Sequence, residues 1–590
     1  MTLPDLLARR PMVLWVSCAA VGALGLAAEL ARLPTPDMGL FLYDAGRVLD
    51  GARLYRDVVE INPPLIIVLN LLVVALARVT HVSALLVYSL GSAVMIGALL
   101  TYAARLIHRH LFPDEAGQAR YLVLLLCFAL FALPRFDFGQ REHFVLALLL
   151  PYLLLVAADL RGRRPGPLEA GVIGVLAGAA IGLKPHFGLV WVALEGFRRL
   201  RAPLPERWRL TPEAVGAVGF LVIYALAIQV FTPDYLGIAT LLGPAYARYM
   251  REPFLNLLVV GPGVPLVCFV LLARFGLRRQ ARGADLAALL ATVIVAGFLA
   301  GAAQQKEFRY HFYPALALAF ILLGLLAAEP PGATRLVSER IYGRASRALL
   351  VTIVLVVLGL AGFQATGGGA EGRRQRAALF DLVDAVRARA AGRPVGVLSY
   401  TIDSAFPLVN YAGVSLALRF PGLWPFAASY WDSLKSGGPL RYHAPTEMAP
   451  FEQYFFKAVR DDLLAAQPQL ILMLRPARDA PMNGQRRLHY IQYFSRDPAL
   501  GALLARYELV AQKGEYLMYE RAETEGGRAG PAPSAAPAVL DAQRGPELRE
   551  IRLGQLDPES VGGLGVFVIC WTLMAVADRR RAARGGLAAA

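Results

Sequence analysis

The chain has 590 residues, 56% of them hydrophobic, with a mean hydropathy of +0.49. That balance excludes an ordinary soluble globular protein and points to many membrane-spanning helices. A formal net charge of +16 would suit a nucleic-acid binder, yet the basic residues stand in short loops between apolar runs, as membrane topology requires. No nucleic-acid partner is expected. Cys18, Cys127, Cys268 and Cys570 lie in apolar runs and form no CxxC pair, which argues against a disulfide framework or a zinc site.

Apolar runs fall near 11–31, 64–79, 84–106, 121–134, 143–160, 168–183, 185–197, 211–231, 256–273, 285–303, 312–328, 348–363 and 561–577. A spanning helix needs roughly 20 such residues. The first run is long and lacks a small-x-small exit, so it reads as a retained anchor. The run at 64–79 is short, opens on Pro63-Pro64 and carries Asn70 and Arg78. If it stays at the interface, Arg9 and Arg10, Arg161 to Arg164, Arg198 to Arg209 and the tail Arg579 to Arg584 all face the cytoplasm. If it crosses, most of them face outward, against the positive-inside bias. The expectation is an α-helical polytopic membrane protein with about 12 transmembrane helices, an interfacial helix in the first outer loop and both termini cytoplasmic. The joint at Lys184-Pro185 decides the parity, because one long tilted helix there would break it.

Residues 1–363 then form the membrane module. The block 364–521 lies outside and predicts a small extracytoplasmic α/β domain, from strand-like runs at 395–398, 470–474 and 516–519 and a helical pattern at 374–390. Residues 522–556 read as a flexible linker rich in Ala, Pro, Gly and Glu. The remainder, 557–590, supplies a final spanning helix and a basic tail.

Four polar groups emerge on the outer side. In the first loop Asp37 precedes a surface helix predicted from Leu40 to Leu49. It is either the cap of that helix or a general base whose basicity is raised by partial desolvation. The second loop crowds Asp137, Arg141, Glu142 and His143 against the next apolar run. A solvated loop of ion pairs is the plain alternative, but charge abutting hydrocarbon is costly and usually functional. The third group is Lys184-Pro185-His186, where a snorkelling lysine is the plain alternative. The fourth gathers Lys306, Arg309, Tyr310 and His311 in a loop that breaches the positive-inside trend. Binding of phosphate oxygens accounts for the breach. Neither a Gly-rich nucleotide loop nor a Ser-His-Asp arrangement is present.

This order of features resembles the membrane glycosyltransferases of the C-type (GT-C) fold that use polyprenyl-phosphate sugars. Members include the lipid A aminoarabinose transferase, the lipopolysaccharide galacturonic acid transferases and the protein O-mannosyltransferases. The similarity covers about residues 1–360. It matches the family's first-loop acid to Asp37 and its second acid, before a span, to Glu142, with Asp137 as a rival. A Lys-Gly-Phe-like turn looks similar to Lys184-Pro185-His186, and an Ala-Lys-Gly-Lys-like loop to Gln305-Lys306-Glu307-Phe308-Arg309. Two departures stand out: Met38 replaces the acid that usually follows the first, and Glu60-Ile61-Asn62-Pro63 replaces a Glu-Lys-Pro segment. No cofactor is implied with certainty, and a divalent metal is left open.

The resemblance implies an inverting transfer at the outer face of a bacterial inner membrane. The donor would be a sugar on polyprenyl phosphate, and the acceptor an envelope glycan, lipid or protein. Asp37 would be the base. Glu142 with Arg141 would orient it or the acceptor, while Lys184, Lys306, Arg309 and His311 would hold the phosphate. His143, His186, Asp137 and Tyr310 complete the candidate binding set. Two other classes stay open: a transporter or flippase of lipid-linked saccharide, which would want inverted repeats and mid-membrane charges, and an O-antigen ligase or polymerase.

Overall fold

The computed structural model describes residues 3–259, 284–328, 339–390, 392–436, 440–474 and 488–522, with 263, 266 and 270 besides. The expected last span at 561–577, the linker beyond residue 522 and most of the run at 256–273 lie outside the described residues. Seven described helices are long and apolar enough to cross a membrane: Pro11–Ala31, Ala84–Leu111, Arg141–Asp159, Pro212–Phe231, Asp285–Ala302, Arg309–Ala328 and Arg344–Ala365. Three shorter apolar helices join them, Leu65–Thr80, Ala116–Phe131 and Pro167–Leu183. The chain is thus a helical polytopic membrane protein carrying a small sheet-containing domain.

Burial sorts these helices. Pro11–Ala31 and Pro212–Phe231 leave most of their length outside the core, with Trp15, Ile223 and Phe231 exposed. Apolar side chains facing outward in this number suit lipid as the surrounding solvent. Arg141–Asp159 is the opposite case, with Arg141 to Ala158 buried throughout, so it forms the axis of the bundle. Helices Pro167–Leu183 and Pro212–Phe231 pack backbone to backbone. A Cβ at Gly174 would sit 2.0 Å from the Glu213 carbonyl oxygen, and one at Gly216 would sit 2.3 Å from that of Gly171. Small residues at such spacing let membrane helices approach closely.

Two local signals position the site. Pro185 bars α geometry at the residue before it. Accordingly Lys184 is extended (φ −145°, ψ 91°) and the helix ends at Leu183; a 3-10 turn at Pro185–Phe187 leads into Gly188–Arg201. The chain therefore breaks into two helices at this joint instead of running on as one. The surface helix runs Pro36–Leu49, one turn earlier than predicted, because Thr35 caps it and Pro36 occupies its first position.

The sheet-containing domain, expected above to lie outside, contains four strands, β1 (Val395–Leu398), β2 (Leu470–Leu474), β3 (Tyr507–Lys513) and β4 (Tyr516–Arg521), in the order β1-β2-β4-β3. β1 and β2 are parallel, with Val395 opposite Leu470, and β4 runs antiparallel to both β2 and β3. The unforeseen β3 is an edge strand whose Glu508, Leu509 and Val510 are all exposed, so it carries no alternating signal. The domain docks on the surface helix. Asn410 Nδ2 donates to the Gly39 carbonyl at 2.9 Å and the Leu416 amide donates to Tyr43 Oη at 2.8 Å. Gly39 is needed there, since a Cβ would stand 2.7 Å from Asn410 Oδ1.

Candidate active site

Thr35 Oγ1 accepts from the Met38 amide at 3.4 Å, which fills the capping role and frees the Asp37 carboxylate. Asp37 is partly buried in the first turn of the surface helix. Burial raises its carboxyl above the usual range, while Arg141 and then Lys184 pull it back, Glu142 pushes it up, and a Gln140 hydrogen bond lowers it. Three of the four sequence clusters therefore meet around one carboxylate.

Arg141 and Glu142 open the axial helix. The Arg141 guanidinium donates to Asn62 Oδ1 and lies 4.9 Å from the centre of the Phe41 ring. Glu142, fully buried, pairs with Lys184 Nζ at 2.6 Å, and His311 Nε2 stands 3.7 Å from the same oxygen. Its other oxygen, Oε2, is buried without a hydrogen-bond partner. The fourth cluster is thus joined to the rest through His311. Lys184 Nζ also lies 5.6 Å from the Tyr310 ring centre, and burial holds its ammonium down to about 8 even though Glu142 pulls it up.

The remaining candidates divide. His186 flanks the site, with Gln304 Nε2 3.1 Å from its ring nitrogens, and burial lowers it to about 3, so it is a neutral ring at working pH. Asp137, pushed up to about 6 by burial, faces Arg309 first and Glu142 second. Arg309 is exposed at the rim. Lys306 is 1% exposed, and its ammonium donates to the carbonyls of Tyr249 at 2.6 Å and Tyr246 at 3.0 Å, beneath the Tyr246 ring at 3.9 Å. It ties the 304–311 loop to the helix Asp234–Arg248, and burial lowers it to about 7. His143 points into the bundle: its Nδ1 accepts from the Gly139 amide at 3.1 Å and its ring packs between Phe138 and Tyr313.

Sequence reasoning missed Gln140, Asn62, Glu60 and Tyr246. Glu60 is buried, and its Oε1 accepts from the Ile61 amide at 2.7 Å, the Asn62 amide at 3.1 Å and Asn62 Nδ2 at 2.7 Å. The segment Glu60-Ile61-Asn62-Pro63, noted above as a departure from the family pattern, was the visible signal for this corner. Among the described residues no group of three or more His, Cys, Asp or Glu side chains is arranged to hold a metal ion.

The arrangement offers a carboxylate raised toward general-base chemistry, opposed by a wall of cations suited to an anionic leaving group. No protein-family model matches the chain, and no curated protein does. The fold is similar to the crystal structure of ArnT from Cupriavidus metallidurans bound to undecaprenyl phosphate, at a TM-score of 0.54 and 13% identity over 88% of this chain and 99% of that one. It is likewise similar to ArnT of the same organism in the apo state, at a TM-score of 0.51 and 14% identity over 87% and 98% of the two chains. At such identity the likeness carries the fold, end to end, and nothing finer.

Proposed function

We propose that this protein is a GT-C glycosyltransferase that moves a sugar from a polyprenyl-phosphate donor to a hydroxyl of an envelope acceptor at the outer face of a bacterial inner membrane, with inversion. The observation that carries the reading is the partly buried Asp37 carboxylate set against Arg141, Lys184 and Glu142. Asp37 takes the acceptor proton as the oxygen attacks the anomeric carbon. The bond to phosphate oxygen breaks and Lys184, with Arg309 at the rim, holds the charge that develops there. Glu142 fixes Lys184 in place, and Arg141 sets the carboxylate of Asp37.

A second feature supports a lipid donor. An apolar cleft of about 20 Å³ begins one turn below Glu142, at Val145 and Leu146, and is shared by Phe187 and Pro314, each three residues past Lys184 and His311. Leu149, Leu150, Leu153, Val190 and Leu194 continue its apolar lining away from the polar site, and an isoprenoid would enter there only if these side chains part. The ArnT structure bound to undecaprenyl phosphate supports the same lipid class here.

The test uses Asp37→Asn and Asp37→Glu in membranes supplied with labelled undecaprenyl-phosphate sugars. Loss of the base should cut transfer by about 10²- to 10⁴-fold, with partial recovery in the Glu variant. Full transfer by a well-folded Asp37→Asn protein sinks the assignment.

A further inference from the structure

A base that accepts one proton per turnover must release it. Asp44 lies seven residues further along the surface helix, so it shares the face of Asp37 about 10 Å away along the axis. It has no exposed surface, and both its carboxylate oxygens are buried without a hydrogen-bond partner. The ionisable group beside it is Glu60. Glu60 in turn neighbours Asp37 and Arg141, and is linked to Arg141 by Asn62, which donates to Glu60 and accepts from Arg141. Tyr55, whose hydroxyl donates to the Asn62 carbonyl at 2.6 Å, is the other titratable group facing both carboxyls.

Asp44 also borders a polar cavity of about 160 Å³ between the surface helix and the sheet domain, together with Tyr43, Arg47, Asp57, Arg419 and Asp462. Two of those acids are already neutralised. Asp462 holds Arg419 at 2.6 Å and Asp57 holds Arg53 at 3.0 Å. An ionised carboxylate at zero exposure with no partner is costly, and two adjacent buried carboxyls cannot both ionise. Burial and the charge of Glu60 push Asp44 well above the carboxylate range, in keeping with two buried oxygens that receive no hydrogen bond.

We propose that Glu60 and Asp44 form a proton exit leading from Asp37 to the cavity under the outer domain. The proposal rests on the reading of Asp37 as the base. When the acceptor oxygen bonds to the anomeric carbon, its proton moves to Asp37 and the electron pair of the broken bond stays on the phosphate. Asp37 hands that proton through intervening water to Glu60. The proton already held by Asp44 leaves into the cavity, and Asp44 is refilled from Glu60. One proton passes from acceptor to bulk water and every carboxyl returns to its starting state. Asp44 never touches substrate, so its role is indirect.

The experiment compares wild type, Asp37→Asn, Asp44→Asn and Asp44→Glu, as full-length protein in membranes with labelled undecaprenyl-phosphate sugars. Asp44→Asn keeps the shape of a neutral acid, so folding should survive. Its turnover should fall about ten- to a hundredfold at unchanged KM for donor, with a larger solvent deuterium effect and a shifted pH profile. Azide or formate, small enough for the cavity, should restore turnover several-fold, and Asp44→Glu should restore most of it. Unchanged turnover and isotope effect in Asp44→Asn overturn the exit while leaving the base intact. So does a loss that neither azide nor Asp44→Glu relieves. Full activity in Asp37→Asn removes both proposals together.

Discussion

Two buried carboxylates sit among cations and are finished differently: Glu142 in the first turn of the axial helix Arg141–Asp159, and Glu195 on the helix Gly188–Arg201, which meets the axial helix at Tyr152. Glu195 accepts from Arg198 Nε at 3.1 Å and Nη2 at 2.8 Å, from Arg199 Nε at 3.1 Å and from Tyr152 Oη at 2.7 Å. Glu142 has one lysine at 2.6 Å, a histidine at 3.7 Å and an oxygen with no hydrogen bond. Tyr152 and Glu142 are ten residues, about 15 Å, apart on the same helix. A fully satisfied network rigidifies a core, whereas an incomplete one is costly and persists where something else is meant to complete it. On that physical ground the Glu195 cluster is architecture, while the open Glu142 cluster agrees with the ligand site proposed above.

The sharpest way to break this contrast is to remove each carboxylate's function separately. Glu195→Ala strands two arginines and should cost about 3–5 kcal/mol of stability, read as a lowered unfolding temperature, while the protein that remains folded transfers at the normal rate. Normal stability with lost transfer would erase the distinction. Lys184→Met should lower transfer by about 10²- to 10³-fold and also destabilise, since Glu142 is left charged and buried. Adding Glu142→Gln should return stability without returning activity. Recovery of both would make the pair structural.

Much of the Glu142 site was legible because charge beside hydrocarbon is rare. Asp37, Glu142, Lys184 and the 304–311 loop each violated a membrane rule, and chain order tied them to one side. What could not be read was who faces whom. His143 adjoins Glu142 in sequence, but one residue along a helix is about 100° of rotation, and that turns it into the bundle. Lys306 breached the positive-inside trend as Arg309 did, yet its ammonium is occupied by the carbonyls of Tyr246 and Tyr249. Backbone acceptors at a helix end leave no trace in sequence. Asp44 gave no signal, and Glu60 stood out only as part of a departure from a family segment, since their burial depends on a domain that begins more than 300 positions later.

The pH dependence sharpens the comparison further. The raised carboxyl of Asp37 must be ionised to act, so transfer should climb with pH on the acid side. Lys184, held down to about 8, must stay protonated to hold phosphate. Donor affinity should therefore be flat below pH 7 and weaken about tenfold per unit well above pH 8, where one proton is lost per site. Lys184→Arg, which does not titrate there, should abolish that alkaline limb while keeping the acid one. A limb that persists in the Arg variant assigns it to another group.

The smallest expected effect tests how tightly the Glu142 site is aimed. Gly301 faces the His311 carbonyl so closely that a Cβ would lie 2.6 Å from its oxygen, whereas a Cβ at Gly297, one turn away, would meet nothing nearer than 3.5 Å. Gly301→Ala should displace His311 from Glu142 and cost about 1–3 kcal/mol in packing, together with a several-fold loss of transfer. Gly297→Ala should do neither. If His311 only fills space, transfer per folded molecule will be equal in the two variants despite the stability difference. If it helps to hold Glu142 against Lys184, the Gly301 variant alone will show a lower kcat, and the added methyl will have reached the chemistry through the backbone of a neighbouring loop.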